Sequence, residues 1–364
     1  MNQMNIRENI LENRKRLNFT QQNLAEFLNI SKAAVSKWEQ GHSVPDIQYV
    51  GEMAVLFDIS VDELIGFSPD LSKEQIKTIF HSLSASFSRE NYDDVLQEVK
   101  RYGKRYYNCY PFLATLINLL VNHVNLAETP EETLELTETF IDRVMTHTDS
   151  AKLKEQMMFY RAAMLITHGQ PGEVIPLLKD YTEPRMPINS VLAQSYLMTG
   201  VPGKAKEVLQ AEVYESMVFI MSDMTMMMYS DLYNDLEAVI ERGTALDEAF
   251  KLKALHPSST LNFYLVAAMK MSGDKERCLF YLNEFLECVK HLADAYYLHG
   301  DEFFSDIDDW LNNLDIGNNA PVSLMNAKKQ LIHSVTDNEV FRDYKEDIAF
   351  KNIVHTLKTT LEEK

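Results

Sequence analysis

Over the first 66 residues apolar side chains recur at intervals of three and four, and short polar motifs interrupt them. Such a pattern restricts the segment to brief amphipathic helices packed around one small core. Residues 5–17 place Ile6, Ile10, Leu11 and Leu17 at helical spacing. Thr20 has the chemistry of an N-cap for a second helix, with Leu24, Ala25, Phe27 and Leu28 inward. "NIS" is a turn, and Ser31 caps a third helix that buries Ala34, Val35 and Trp38 and turns Lys32, Ala33, Ser36, Lys37 and Gln40 outward. Gly41 ends it. Pro45 leads into a fourth helix over 46–57, with Ile47, Val50, Met53, Ala54 and Phe57 at helical spacing, and "SVDE" (60–63) has the form of a capping box that opens a fifth.

The chain as a whole has 364 residues, more than one domain usually holds, so a small domain (1–66) followed by a larger one (67–364) is expected. Only 12 glycines and 11 prolines interrupt it, which favours long helices and an all-α fold over a turn-dense β protein. The start has no apolar run resembling a signal peptide, and nowhere do eighteen apolar residues follow one another, so a soluble cytoplasmic protein with no membrane partner is expected. Cys109, Cys278 and Cys288 show no CxxC spacing and read as reduced, structural thiols. The net charge is −19, but residues 1–66 carry six Lys and Arg against nine Asp and Glu, net −3, which leaves −16 for residues 67–364. The acid lies mostly outside the first domain, and counterion release rewards only cations placed at phosphates, so a small cationic face remains able to bind a polyanion.

"TQQNLAEFLNISKAAVSKWEQGHSVPD" (20–46) resembles the helix-turn-helix of the Xre family, the lambda-repressor and Cro class of regulators. The features that coincide are TQ opening one helix, LA within it, S-x-x-x-V-S-x-W-E in the next, and G-x-x-x-P-D after it. The resemblance implies that the helix opened by Ser31 lies in the major groove of an operator, with Lys32, Ala33, Ser36 and Lys37 as base readers and Gln21 as a backbone contact. Lysine donates to guanine O6 and N7, serine pairs with several edges, and a small alanine sits against a thymine methyl. It also implies that Arg14 pairs structurally with Glu39, which leaves Lys15 and Arg16 as phosphate contacts, and that two heads bind one inverted-repeat site as a homodimer.

Beyond residue 66 a helix, glycine, turn, helix unit recurs: "YRAAMLITHGQPGEVIPLL" (160–178), "AQSYLMTGVPGKAKEVL" (193–209), "YLVAAMKMSGDKERCLFYL" (264–282) and "YYLHGDEFFSDIDDWL" (296–311). These units resemble the tetratricopeptide repeat, though the 34-residue period is not kept, and such pairs bury their apolar faces only by stacking into a solenoid with a binding groove. Less regular pairs fill 74–146 and 217–253. Two stripes mark what the groove holds. Met217, Met221, Met224 and Met228 fall on one helical face, either as an adaptable binding surface that includes Met224 and Met228 or as a core seam. Asn118, Asn122 and Asn125 form the second stripe inside an apolar helix, where their amides need partners, either a peptide backbone or neighbouring helices. Asn189 and Asn262 are further candidates that also fit simple caps.

An Xre-type head on a helical-repeat body resembles the Rap, Rgg, NprR, PlcR and PrgX group of peptide-responsive regulators, and implies a body that senses a short signalling peptide and dimerises. The alternative is a DNA-tethered scaffold whose repeats hold a protein partner. No Walker loop, GxGxxG, HExxH or GxSxG is present, and the acidic run "DEFFSDIDDW" (301–310) lacks the EF-hand glycine and terminal glutamate, so no enzyme, metal or cofactor is expected.

Overall fold

The computed structural model describes residues 6–67, 70–182, 186–230, 232–233 and 235–362. The chain is all-α, 76% helical and without a strand among the described residues; a single bridge joins Tyr297 to Asn319. Its contacts divide it into two compact units, residues 1–72 and 73–364.

The first unit holds α1 (Ile6–Arg16), α2 (Gln21–Phe27), α3 (Lys32–Gln40), α4 (Ile47–Phe57) and α5 (Val61–Ile65). Helices α2 to α5 each have a side-chain N-cap. Thr20 and Ser60 head capping boxes closed by Asn23 and Glu63, Ser31 Oγ accepts from Ala34 N at 3.2 Å, and Asp46 caps α4. Gly41 and Gly66 end α3 and α5 in the left-handed region. Ile10, Leu24, Val35, Met53, Phe57 and Leu64 are fully buried together, a core supplied by every helix. Ala34, expected inside, is half-buried at its edge.

The second unit runs through α6 (Lys73–Ser86), α7 (Tyr92–Arg105), α8 (Tyr110–His123), α9 (Glu131–His147), α10 (Ala151–Thr167), α11 (Pro171–Leu178), α12 (Ile188–Met198), α13 (Pro202–Tyr229), α14 (Leu236–Phe250), α15 (Leu252–Leu255), α16 (Pro257–Lys270), α17 (Lys275–Asp294), α18 (Asp308–Asn312), α19 (Leu324–Thr336) and α20 (Ile348–Glu362). Helices adjacent in sequence pack in pairs: α8 on α9, α10 on α11, α12 on α13 and α16 on α17. Gly169 and Gly200 end α10 and α12 in the left-handed region, as helix-stopping glycines do.

Three of the expected repeats therefore exist as helix pairs, and the fourth does not. No helix covers residues 295–307; Gly300 is instead the point where two backbone segments meet, since an added Cβ would lie 2.1 Å from the Phe304 carbonyl oxygen. Residues 217–229 are no separate element either, but the second half of the 28-residue α13. The three cysteines are buried and form no disulfide among the described residues, and burial pushes the Cys278 thiol up to about 11 and Cys288 to about 12, so both stay protonated.

Two glycines inside helices set close packing. The Phe140 ring of α9 rests on Gly103 of α7, and the Phe263 ring of α16 rests on Gly243 of α14, each where a Cβ would have to stand within 2.3 Å of a ring carbon.

Candidate nucleic-acid interface and ligand cavity

In the first unit a buried ion pair fixes the helix that carries the candidate readers. Arg14 Nε and Nη2 donate to the two Glu39 carboxylate oxygens at 2.5 and 3.0 Å, and Arg14 Nη1 donates to the Phe19 carbonyl at 2.6 Å. Burial pushes the Glu39 carboxyl up, but the hydrogen bonds from Arg14 and Gln21 together with the guanidinium charge outweigh it and hold the group below the usual carboxylate range. One bidentate pair thus joins α1 to the last turn of α3 and sets the roll of α3 about its axis.

That roll exposes Ser31, Lys32, Ala33 and Lys37, with Ser36 half-buried beside them, while Val35 and Trp38 face the core. Neither lysine makes an ion pair or hydrogen bond among the described residues, so both ammonium groups are available to an outside anion. Ser31 already accepts from Ala34 N as the N-cap. Gln21 is tied inward, donating to Glu39 Oε2 at 2.8 Å, which orients it at the start of α2. Lys15 is exposed, but Arg16, expected at phosphate, donates to the Phe57 carbonyl at the end of α4 and so serves as a structural cap.

The second unit contains a cavity of about 620 Å³ that brings together elements far apart in sequence. α8 contributes Asn118 and Asn122, α16 contributes Asn262, and the rest of the wall comes from His256 and the start of α16, the end of α17 with residues 295–298 after it, the segment 314–322 and α19. Asn122 Nδ2 donates to the carbonyl and Oδ1 of Asn118, both at 2.9 Å, so the two amides form one unit, and Asn118 also bonds Tyr160. Asn262 is exposed and makes no side-chain hydrogen bond among the described residues. The segment 314–322 is pinned on one side to α6, where His81 Nε2 lies 2.9 Å from the Ile316 carbonyl and Ser84 Oγ donates to that of Pro321 at 2.9 Å. It is pinned on the other to residue 298, whose N–H donates to the Asn318 carbonyl at 2.7 Å.

The remaining ligand candidates lie elsewhere. Asn125 is exposed in a 3₁₀ turn, Val124–Leu126, because α8 ends at His123 and the change of pitch takes it off the face of Asn118 and Asn122. Asn189 gives its amide to Glu212 on α13. Met217, Met221 and Met228 are buried in the main core and Met224 packs against it, so the methionine stripe is the seam of α13 against its neighbours. Sequence reasoning missed His256, Tyr296 and Gln330 on the cavity wall. The "HP" pair at 256–257 signals only a helix start, and the other two carry no local signal.

The helix-turn-helix family HTH_3 matches residues 10–64, the five-helix unit whose α2 and α3 carry the motif. Its residues are thus an Xre-type helix-turn-helix domain. The chain is similar to the HTH-type transcriptional activator BcrR of Enterococcus faecalis, 31% identical over 90 residues, which covers 25% of this chain and 41% of that protein. It is also similar to the cryptic phage CTXphi transcriptional repressor RstR of Vibrio cholerae serotype O1, 35% identical over 63 residues, 17% of this chain and 56% of the relative. The chain therefore spans about half the length of these relatives, and no solved structure matches it significantly. No described helix is long and apolar enough to cross a membrane.

Proposed function

We propose that the protein is a DNA-binding transcriptional regulator whose second unit senses a short peptide. In this reading Lys32, Ala33, Ser36 and Lys37 meet base edges, while Ser31 and Gln21 hold the start of α3 and α2 at the backbone. Two heads bind an inverted repeat as a homodimer. The observation that carries the sensor half is the cavity: its volume falls in the ~300–1,000 Å³ range of sites for small ligands, too small for a folded partner and wide enough for a few residues. Asn118, Asn122 and Asn262 present amides there, the groups that match a peptide backbone. The wall segment 314–322 is also held by α6, the first helix after the head, so a ligand that moves the segment acts on the element nearest the head in sequence.

Native mass spectrometry of the full chain, before and after exposure to the low-mass fraction of medium from the producing bacterium, tests this. The expected result is an adduct with the mass of a short peptide, lost in Asn118→Ala and Asn122→Ala. A folded protein that binds its upstream DNA and takes up nothing rejects the sensor.

A second reading, the scaffold that holds a protein partner, is favoured by the exposed apolar side chains of α11–α13. Ile175, Ile188, Val191 and Met198 are all between 62% and 80% exposed.

A further inference from the structure

The walls of the cavity are unlike the rest of the chain. Charged residues make up 24% of the sequence, yet no Asp, Glu, Lys or Arg is among the described residues that line this space. Its polar groups are carboxamides, hydroxyls, the His256 imidazole and backbone, set among Leu261, Leu292, Leu298 and Leu331. Two titratable wall groups are also uncharged near neutral pH. Burial drives the His256 imidazole down to about 4, and it pushes the Tyr296 phenol up to about 12. The Tyr296 hydroxyl donates to the Val322 carbonyl at 2.9 Å, so it helps to form the wall.

From this wall, and resting on the reading of the cavity as a peptide site, we infer that the segment seated in it is uncharged and mainly apolar, and that the site rejects either sign of side-chain charge. The reason is desolvation. A carboxylate or ammonium that enters loses water and meets only neutral dipoles, whereas an apolar side chain loses nothing and an amide finds partners of its own kind. Asn118 is engaged by Asn122 and Tyr160, but the Asn122 Oδ1 acceptor is on offer and Asn262 leaves a complete amide, so the polar recognition is of backbone N–H and C=O. The sequence of the bound segment is then read by its lack of charge and by shape. The charged ends of a linear peptide must lie at the mouth, outside the neutral walls.

Three pools of five-residue synthetic peptides, acetylated and amidated at their ends, test the inference on the full chain. One contains only Ala, Val, Leu, Phe, Ser and Thr; the second has one Asp and the third one Lys at each position in turn. Peptide retained through size exclusion is counted by mass spectrometry. The neutral pool is expected to be retained about tenfold or more over either charged pool, a preference of the size that leaving a buried polar group unpaired produces. Placing a cation in the wall with Gln330→Lys, at an exposed position that does not threaten folding, is expected to raise retention of the Asp pool and leave the Lys pool excluded. Equal retention of all three pools, abolished by Asn118→Ala, would overturn the charge selection and leave the peptide site standing. Retention of none would remove the peptide site and the selection together.

Discussion

Each unit holds a buried carboxylate against a cation, Glu39 in the head and Asp247 in the second unit, and the use each makes of it differs. In the head Arg14 and Glu39 lock α1 against α3, and the locked helix is the one that presents Lys32 and Lys37. In the second unit the buried Asp247 accepts from Tyr264 Oη at 2.6 Å and from Lys253 N at 2.9 Å, and its carboxylate lies 3.0 Å from the half-buried Lys253 Nζ, which also donates to Glu284, so the cluster closes the junction of α14 and α15. Around the first pair the outer surface keeps free cations; in the second unit the described residues of the cavity wall include no Asp, Glu, Lys or Arg. An acidic chain can therefore keep unpaired surface cations in one unit and an uncharged cavity wall in the other, because each is built on a different core.

The change that separates the units most is Arg14→Ala. It leaves Glu39 buried without its partner, and breaking a buried pair from one side costs about 3–5 kcal/mol. Calorimetry of the full chain should show the head's transition lost or strongly lowered and that of the second unit in place; a shift of both together would break the comparison.

Acidification should separate them by pH. His256 falls from 6.5 to about 4 on folding, and His123, buried and stacked on Phe87, is also lowered. Both are bound neutral in the native state, so their share of stability is complete above about 6.5 and declines as pH falls toward 4. Glu39 is lowered below 4.5, so its contribution is complete above that value and is lost only beneath it. Between pH 6 and 5 the second unit should weaken while the head holds, and His256→Gln should flatten the decline, as followed by thermal melting at each pH.

Smaller effects sharpen the same contrast. Gly243→Ala forces a methyl into the Phe263 ring and should destabilise the second unit by about 1–3 kcal/mol, read in its melting transition. Lys32→Ala should leave melting within about 0.5 kcal/mol and weaken operator binding by about 1–3 kcal/mol, measured by anisotropy. Gly51→Ala in α4 meets nothing within 4 Å and should stabilise the head by about 0.5–1 kcal/mol, since the helix gains alanine's propensity at no steric cost.

The head was legible because its signals are local. Thr20, Ser31 and Ser60 each cap the helix that follows within three residues, and Gly41 stops α3 one residue after it ends. Arg14 and Glu39 lie 25 residues apart, and the Xre resemblance, not spacing, joined them. In the second unit the same local reading worked for Gly169 and Gly200 and failed at Gly300, where the glycine answers to a backbone contact four residues on. The methionine stripe was real as periodicity, and periodicity alone does not distinguish a seam from a groove. The cavity was half legible. Asn118 and Asn122 stand out as amides in an apolar helix, but the walls that face them come from residues 256–331, and only the fold brings these across.

One titration tests the proposed coupling of cavity to head: anisotropy of the full chain on its own upstream DNA, with and without the low-mass fraction of spent medium. A shift in operator affinity of about tenfold, within the usual range of allosteric coupling, that disappears in the Asn118→Ala, Asn122→Ala double variant is the predicted result. An affinity unchanged by that fraction, or changed equally in the double variant, would contradict it.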